Sequence, residues 1–247
     1  VSSMVEEVEG IILRETPYGE TSKIIQVLTK DRGMIGIMAK GAKSLKSPFR
    51  SSTLKLNHAI FQIYYKEGKL STLSSVDVLD HYQKTRKDII KISYASFLLE
   101  LSEQVMKHNP HPDIYKLLLS GLSKIEEGFT PMVITNIIEL KYLEYLGVMP
   151  VIDGCCVCGR TDHIETLSSY LGGYVCSECR KNEPIVDGKV IKLLRMYYYV
   201  DIEKISKLEI DDKIVSTINQ FIDDYYDRYT GLYLKSKDFI KTLAKVQ

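Results

Sequence analysis

Short apolar runs occupy the first part of the chain, and longer three- and four-residue periods occupy the rest. Ile11-Ile12-Leu13, Ile24 to Leu28, Met34 to Ala39, Ala59 to Tyr65 and Leu70 to Leu79 read as strands, with apolar residues in brief blocks or at alternate positions. Turn signals at Pro17-Tyr18-Gly19, Asp31-Arg32-Gly33 and Glu67-Gly68-Lys69 separate them. Five strands with one long polar insertion after the third predict a small five-stranded barrel of the OB type. An SH3-like barrel would leave nearly the same pattern, and periodicity does not choose between them.

After Tyr82 the period becomes helical. Ile90, Tyr94, Phe97, Leu98, Leu101 and Val105 step three and four residues apart, which makes one buried stripe. Pro112 opens a second helix, with Ile114, Leu117, Leu118, Leu122 and Ile125 on one face and Gly128 beyond its end. Thr130-Pro131 caps and starts a third, which Gly147 closes. Val215, Ile218, Ile222, Tyr225 and Tyr229 mark a last helical part. The expected organisation is an α+β multidomain chain. A barrel spans 4–80 and a mainly helical domain spans 81–247, with a cysteine-bearing module at about 153–181.

That module changes the picture. Cys155, Cys158, Cys176 and Cys179 form two Cys-x-x-Cys pairs with seventeen residues between them. The spacing suits a tetrathiolate zinc site, one zinc per chain, in which each pair offers two sulfurs on a tight knuckle. Four protein ligands leave no position for water, so the expected role is structural. Two disulfides could use the same residues. The chain, however, shows no secretory signal and no apolar run long enough to span a bilayer, which predicts a cytoplasmic protein with reduced thiols. Cys156 stands one residue too close to Cys158 for the usual turn, so Cys155 is the expected ligand. His163 reads as an exposed loop residue.

The 247 residues are 45% hydrophobic and 26% charged, with a net charge of only +1, so the protein is not basic all over. The balance hides a local asymmetry. No acidic residue stands between Asp31 and Glu67, while Arg32, Lys40, Lys43, Lys46, Arg50, Lys55 and Lys66 fall inside that window. Cations spaced among Gly and Ser can track the phosphates of a strand, which makes Arg32, Lys40, Lys43, Lys46 and Arg50 the expected contacts to nucleic-acid phosphates. Tyr18, Phe49, Tyr64 and Tyr65 are candidates for base stacking, although one of the last two should face the barrel core. The plain alternative for the lysines is a solvated loop.

No catalytic set is visible, and an enzyme is not expected. His58, His81, His108, His111 and His163 are scattered, and Gly33, Gly36 and Gly41 lack the ending of a phosphate loop. Glu126-Glu127 and Asp223-Asp224 read as solvated helix faces. Val1 to Ser3, ahead of Met4, read as an added remnant outside the fold.

Five phrases resemble the bacterial RecO family of DNA repair proteins along almost the whole chain. They are Glu9-Gly10-Ile11-Ile12-Leu13 with Pro17-Tyr18-Gly19-Glu20; Thr29 to Gly33 with Ala39-Lys40-Gly41-Ala42; Tyr94 to Leu101; the two cysteine knuckles; and Leu234-Lys235-Ser236 with Phe239-Ile240. The resemblance implies an OB barrel and binding of single- and double-stranded DNA. It also implies annealing of complementary strands, and work with RecR to place RecA on strands coated with the single-strand-binding protein SSB. Docking on the acidic SSB C-terminal tail is implied as well, for which Lys91, Lys107, Lys116 and Lys141 are possible rim charges. The rival classes are a zinc-containing transcription regulator and an interaction adaptor that binds no DNA. No helix after Cys179 clusters base-reading side chains, and the acid-free window weighs against an adaptor.

Overall fold

The computed structural model describes residues 5–243, so the reading of Val1 to Ser3 and the start of the barrel at Met4 lie outside the described residues. The alternating runs become β1 (Val5–Tyr18), β2 (Ser22–Thr29), β3 (Met34–Ala39), β4 (His58–Tyr64) and β5 (Ser71–Asp80). They close into a barrel in the order β1-β2-β3-β5-β4. Every pairing is antiparallel except that of β3 with β5, where Ile37 faces Ser71 and Met38 faces Thr72 in parallel. That parallel closure is the connectivity of an OB-type barrel, and it settles the choice that periodicity left open.

β1 is much longer than its apolar triplet. Its first half pairs with β4, from Val5 opposite Tyr64 to Ile11 opposite His58, and its second half with β2, up to Tyr18 opposite Ser22. Pro17 and Tyr18 therefore belong to the strand, and the turn lies beyond them. A register shift between Ile12 and Arg14 disturbs the alternation there, and Ile11, Ile12 and Leu13 are all buried. Ile12 joins Ile25, Val27, Ile37, Phe61 and Ile63 in the barrel core.

The helices are α1 (Phe49–Ser52), α2 (Gln83–Arg86), α3 (Ile89–His108), α4 (Pro112–Glu127), α5 (Pro131–Tyr145), α6 (Gly188–Tyr199), α7 (Asp212–Tyr229) and α8 (Lys235–Leu243); strands β6 (Ile164–Ser168) and β7 (Gly173–Cys176) form a separate hairpin. The chain divides into two compact units, one of residues up to 126 with those from 234 onward, the other of residues 127–233. We refer to them as the barrel unit and the cysteine unit.

In the barrel unit, carboxylates pin the helix ends. Asp88 accepts the N–H groups of Ile90 and Lys91 at the start of α3. Glu100, within α3, accepts those of Lys235 and Ser236 at 2.9 and 2.8 Å and so holds the start of α8. Glu126 accepts the N–H groups of Lys84 and Thr85 at 2.9 and 2.8 Å and the Thr85 hydroxyl at 2.7 Å. It is an anchor for α2, which corrects its reading as part of a solvated face. Glu9 of β1 takes a hydrogen bond from Tyr115 of α4 at 2.9 Å and lies 3.0 Å from the His58 imidazole of β4, so one cluster fastens α4 to two strands.

In the cysteine unit, α5 is buried on nearly every side. Tyr226 of α7 donates its hydroxyl to the Glu139 carbonyl at 2.7 Å, and Asn136 donates to the Asn219 side chain at 2.9 Å. Pro131 takes the first helical position as expected, but Thr130, at the cap position, makes no side-chain capping bond. Asp223 is only 9% exposed, which corrects its reading as solvated; Asp224 is exposed and accepts from Gln220 at 2.8 Å. Helix α6 falls where the sequence pattern predicts no element.

Candidate metal centre and nucleic-acid interface

The sulfurs of Cys155, Cys158, Cys176 and Cys179 all lie within 4.8 Å of one another. Backbone geometry brings them there. After the first pair, Gly159 takes a left-handed φ of 77° and donates its N–H to the Cys155 carbonyl at 2.8 Å, closing the knuckle. Cys155 in turn donates to the Arg160 carbonyl at 2.7 Å. At the second pair, Cys179 and Arg180 donate to the Cys176 carbonyl at 3.1 and 3.0 Å. The β6–β7 hairpin sets Cys176 opposite Ile164 and carries the second knuckle to the first. Gly173 makes the approach possible, because a Cβ there would lie 2.1 Å from the Val151 carbonyl oxygen.

The cluster fits a tetrahedral ion. Zinc–sulfur bonds of about 2.3 Å imply sulfur–sulfur edges of about 3.8 Å. The Cys158 and Cys176 sulfurs stand 3.7 Å apart. Cys176 also donates its N–H to the Cys155 sulfur at 3.4 Å, a contact that favours a thiolate. Burial works against charge on Cys155, but the N–H groups of Cys176, Cys158 and Val157 outweigh it and bring that thiol down to about 6. Cys179 is pushed up to about 12, first by its hydrogen bond with Cys158 and then by burial. One proton leaves such a cluster readily and the next reluctantly, and a divalent cation removes that reluctance. The four cysteines can therefore bind a metal ion. Cys156 stands outside the tetrad, with its N–H bound to the Tyr174 carbonyl at 2.7 Å. His163 is exposed in the left-handed region at φ 51°.

Of the expected cations, Lys40, Lys43, Lys46 and Arg50 lie on the segment between β3 and β4, and all four are exposed. Lys40, Lys46 and Arg50 have no carboxylate partner among the described residues, and Lys43 reaches the Gly19 carbonyl at 3.4 Å. Arg32 is differently placed: it pairs with Glu6 at 2.5 Å and lies over the Tyr65 ring at 4.5 Å. Lys55 turns inward, where burial lowers its pKa and Glu100, Glu15 and Glu103 oppose that shift. Tyr18 is 55% exposed and Tyr64 39%, while Phe49 and Tyr65 pack on the barrel core.

The charge asymmetry extends beyond this segment. The barrel unit carries 22 of the 33 Lys and Arg and 15 of the 32 Asp and Glu, so its net charge is +7 against −6 for the cysteine unit. The possible rim lysines differ in setting. Lys107 pairs with Glu103 at 2.9 Å, Lys116 stands 3.9 Å from Asp113, and Lys91 is half-buried. Lys141, in the cysteine unit, donates to the Tyr198 carbonyl at 2.5 Å.

An OB-type barrel with an exposed basic segment, followed by helices that carry a four-cysteine cluster, defines a class of two-unit barrel-and-helix proteins. Comparison with known proteins makes the class specific. Residues 4–82 match the family model described as recombination protein O N terminal, and residues 86–238 match recombination protein O C terminal. The DNA repair protein RecO of Listeria monocytogenes is 32% identical over 98% of this chain and 96% of its own length. The RecO of Exiguobacterium sibiricum is 34% identical over 98% and 99%, and that of Bacillus pumilus 32% over 99% and 96%. The chain belongs to the recombination protein O family of recombination and repair proteins. Among the described residues, no helix is long and apolar enough to cross a membrane.

Proposed function

We propose that this chain is a non-catalytic, DNA-binding recombination mediator of the cytoplasm and nucleoid. It binds single- and double-stranded DNA, anneals complementary strands and, with RecR, helps to load RecA on SSB-coated DNA. The barrel, 4–80, is the DNA-binding part. Residues 81–247 are the helical part, with a zinc module at about 153–181. The observation that carries this reading is the acid-free segment between β3 and β4, whose exposed cations Lys40, Lys46 and Arg50 have no carboxylate to neutralise them among the described residues.

The mechanism needs no covalent chemistry. Two strands repel one another as polyanions. A protein that lays Lys40, Lys43, Lys46 and Arg50 along one backbone, with Arg32 at the edge, releases counterions and lowers that repulsion. Base pairing then drives the joining. Zinc, bound by Cys155, Cys158, Cys176 and Cys179, would brace the two knuckles and take no part in the annealing step.

Recruitment to coated DNA rests on the SSB tail, whose acidic, apolar end asks for an apolar groove rimmed by cations. The test of the DNA reading is titration of labelled single- and double-stranded oligonucleotides at several salt concentrations. Affinity should fall steeply with salt and depend little on sequence. Affinity indifferent to salt would remove the reading.

A further inference from the structure

Leu45 is 83% exposed, more than any other large apolar side chain among the described residues. A lone exposed leucine needs no explanation in itself. This one differs in its setting. It stands between Lys43 and Lys46, both exposed, at the outer part of the segment that joins β3 to β4. That segment is braced over its length. Gly41 donates to the Ser22 hydroxyl at 3.1 Å, and Lys43 donates its N–H to the Thr21 carbonyl at 2.8 Å. Successive turns then link Ser44 to Gly41, Ser47 to Ser44 and Arg50 to Ser47 at 3.0 to 3.2 Å. Ala42 is buried in the barrel core and Phe49 packs against it, so both shoulders of the segment are anchored. Leu45 is held out into solvent by a loop that loses little freedom on binding.

We propose that Leu45 is a wedge that enters between neighbouring bases of a bound single strand, while Lys43 and Lys46 hold the phosphates on either side. The inference rests on the DNA reading above and adds a particular contact to it. An apolar side chain inserted at a base step gains burial and costs stacking, and the cations beside it supply binding that offsets this cost. Tyr18, the last residue of β1 before the turn that Thr21 ties to this loop, offers a neighbouring face on which a displaced base can rest. A strand held with open steps presents its base edges for pairing, which is what annealing requires.

The test uses the full-length protein and a single strand carrying two adjacent 2-aminopurines, whose fluorescence rises when they unstack. Anisotropy of an end label shows when the strand is saturated. The wild type at saturation should raise the fluorescence several-fold. Leu45→Ala should bind with affinity reduced by about tenfold or less and lose most of that rise, while Leu45→Met should keep it. Lys46→Glu should bind more weakly yet give the wild-type rise once saturated. If Leu45→Ala brings the bound strand to the same fluorescence as the wild type, or if the saturated wild type gives no rise, Leu45 is not a wedge. If the wild type fails to bind the strand at all, the DNA reading falls first and the wedge falls with it.

Discussion

The guanidinium of Arg32 meets the carboxylate of Glu6 at 2.5 Å and lies over the ring of Tyr65, so its charge is already engaged within the barrel unit. Lys46 and Arg50 have no such partner among the described residues. The cations of the acid-free segment are therefore unequal as phosphate contacts. Arg32→Ala should change DNA affinity less than Lys46→Ala or Arg50→Ala, and should lower stability by up to about 1 kcal/mol, mainly through lost stacking on Tyr65. Parallel binding and urea titrations of the three variants check the order. A larger loss of affinity for Arg32→Ala would mean that the phosphate track centres on Arg32 rather than on the segment between β3 and β4.

For the cysteine cluster we predict one zinc per chain. Cys156→Ser should keep the metal, and Cys176→Ser should lose it and destabilise the cysteine unit. A chelator should do to the wild type what Cys176→Ser does, since metal binding and local folding are one equilibrium. Metal analysis of freshly reduced protein, with thermal unfolding, decides this. Release of zinc by Cys156→Ser would mean that Cys155 is not the ligand.

Glu126 gives a prediction about pH. Burial works against its charge, but the Thr85 hydroxyl and the N–H groups of Lys84 and Thr85 outweigh burial and hold its pKa below the usual glutamate value. Because the folded pKa is the lower one, its contribution is full above about pH 4.3 and is lost as pH falls through the folded value. Glu126→Gln should therefore cost about 1 kcal/mol at neutral pH and less in acid. Unfolding curves at pH 7 and pH 3.5 measure the difference, and an equal cost at both would show that charge is not what holds α2.

Gly173→Ala probes the hairpin that carries the second knuckle. The added Cβ would sit 2.1 Å from the Val151 carbonyl oxygen and 2.8 Å from its nitrogen, both backbone atoms with little room to yield. The cost should exceed about 2 kcal/mol. Zinc affinity should fall with it, because Cys176 ends the same strand. Normal metal retention in this variant would show that the knuckles form independently of the hairpin.

Much of this was legible in the sequence for definite physical reasons. The cysteine spacing specifies a tetrad because each knuckle is local, the first closed by Gly159, and β4 alternates cleanly because one face is barrel core. β1 was understated because Glu6, Glu7, Glu9 and Arg14 flank its apolar triplet and its bulge disturbs the alternation. In helix α6, Val190, Leu194 and Tyr197 lie on one buried face with Asp187 as its cap, and the run Tyr197 to Tyr199 masks that period in the sequence. The engagement of Arg32 by Glu6, and of Glu100 by the start of α8, depends on contacts between distant residues. No local pattern records them.

The most direct measurement is strand annealing by the wild type and by a variant carrying Lys40→Glu, Lys46→Glu and Arg50→Glu, on complementary oligonucleotides both naked and SSB-coated, over a range of salt. The wild type should accelerate annealing on both substrates and lose that acceleration as salt rises. The variant should stay folded, bind with a salt slope smaller by about 2 for three lost phosphate contacts on a single strand, and anneal at close to the spontaneous rate. A folded variant that anneals as fast as the wild type, or a wild type that leaves the spontaneous rate unchanged, would contradict the account.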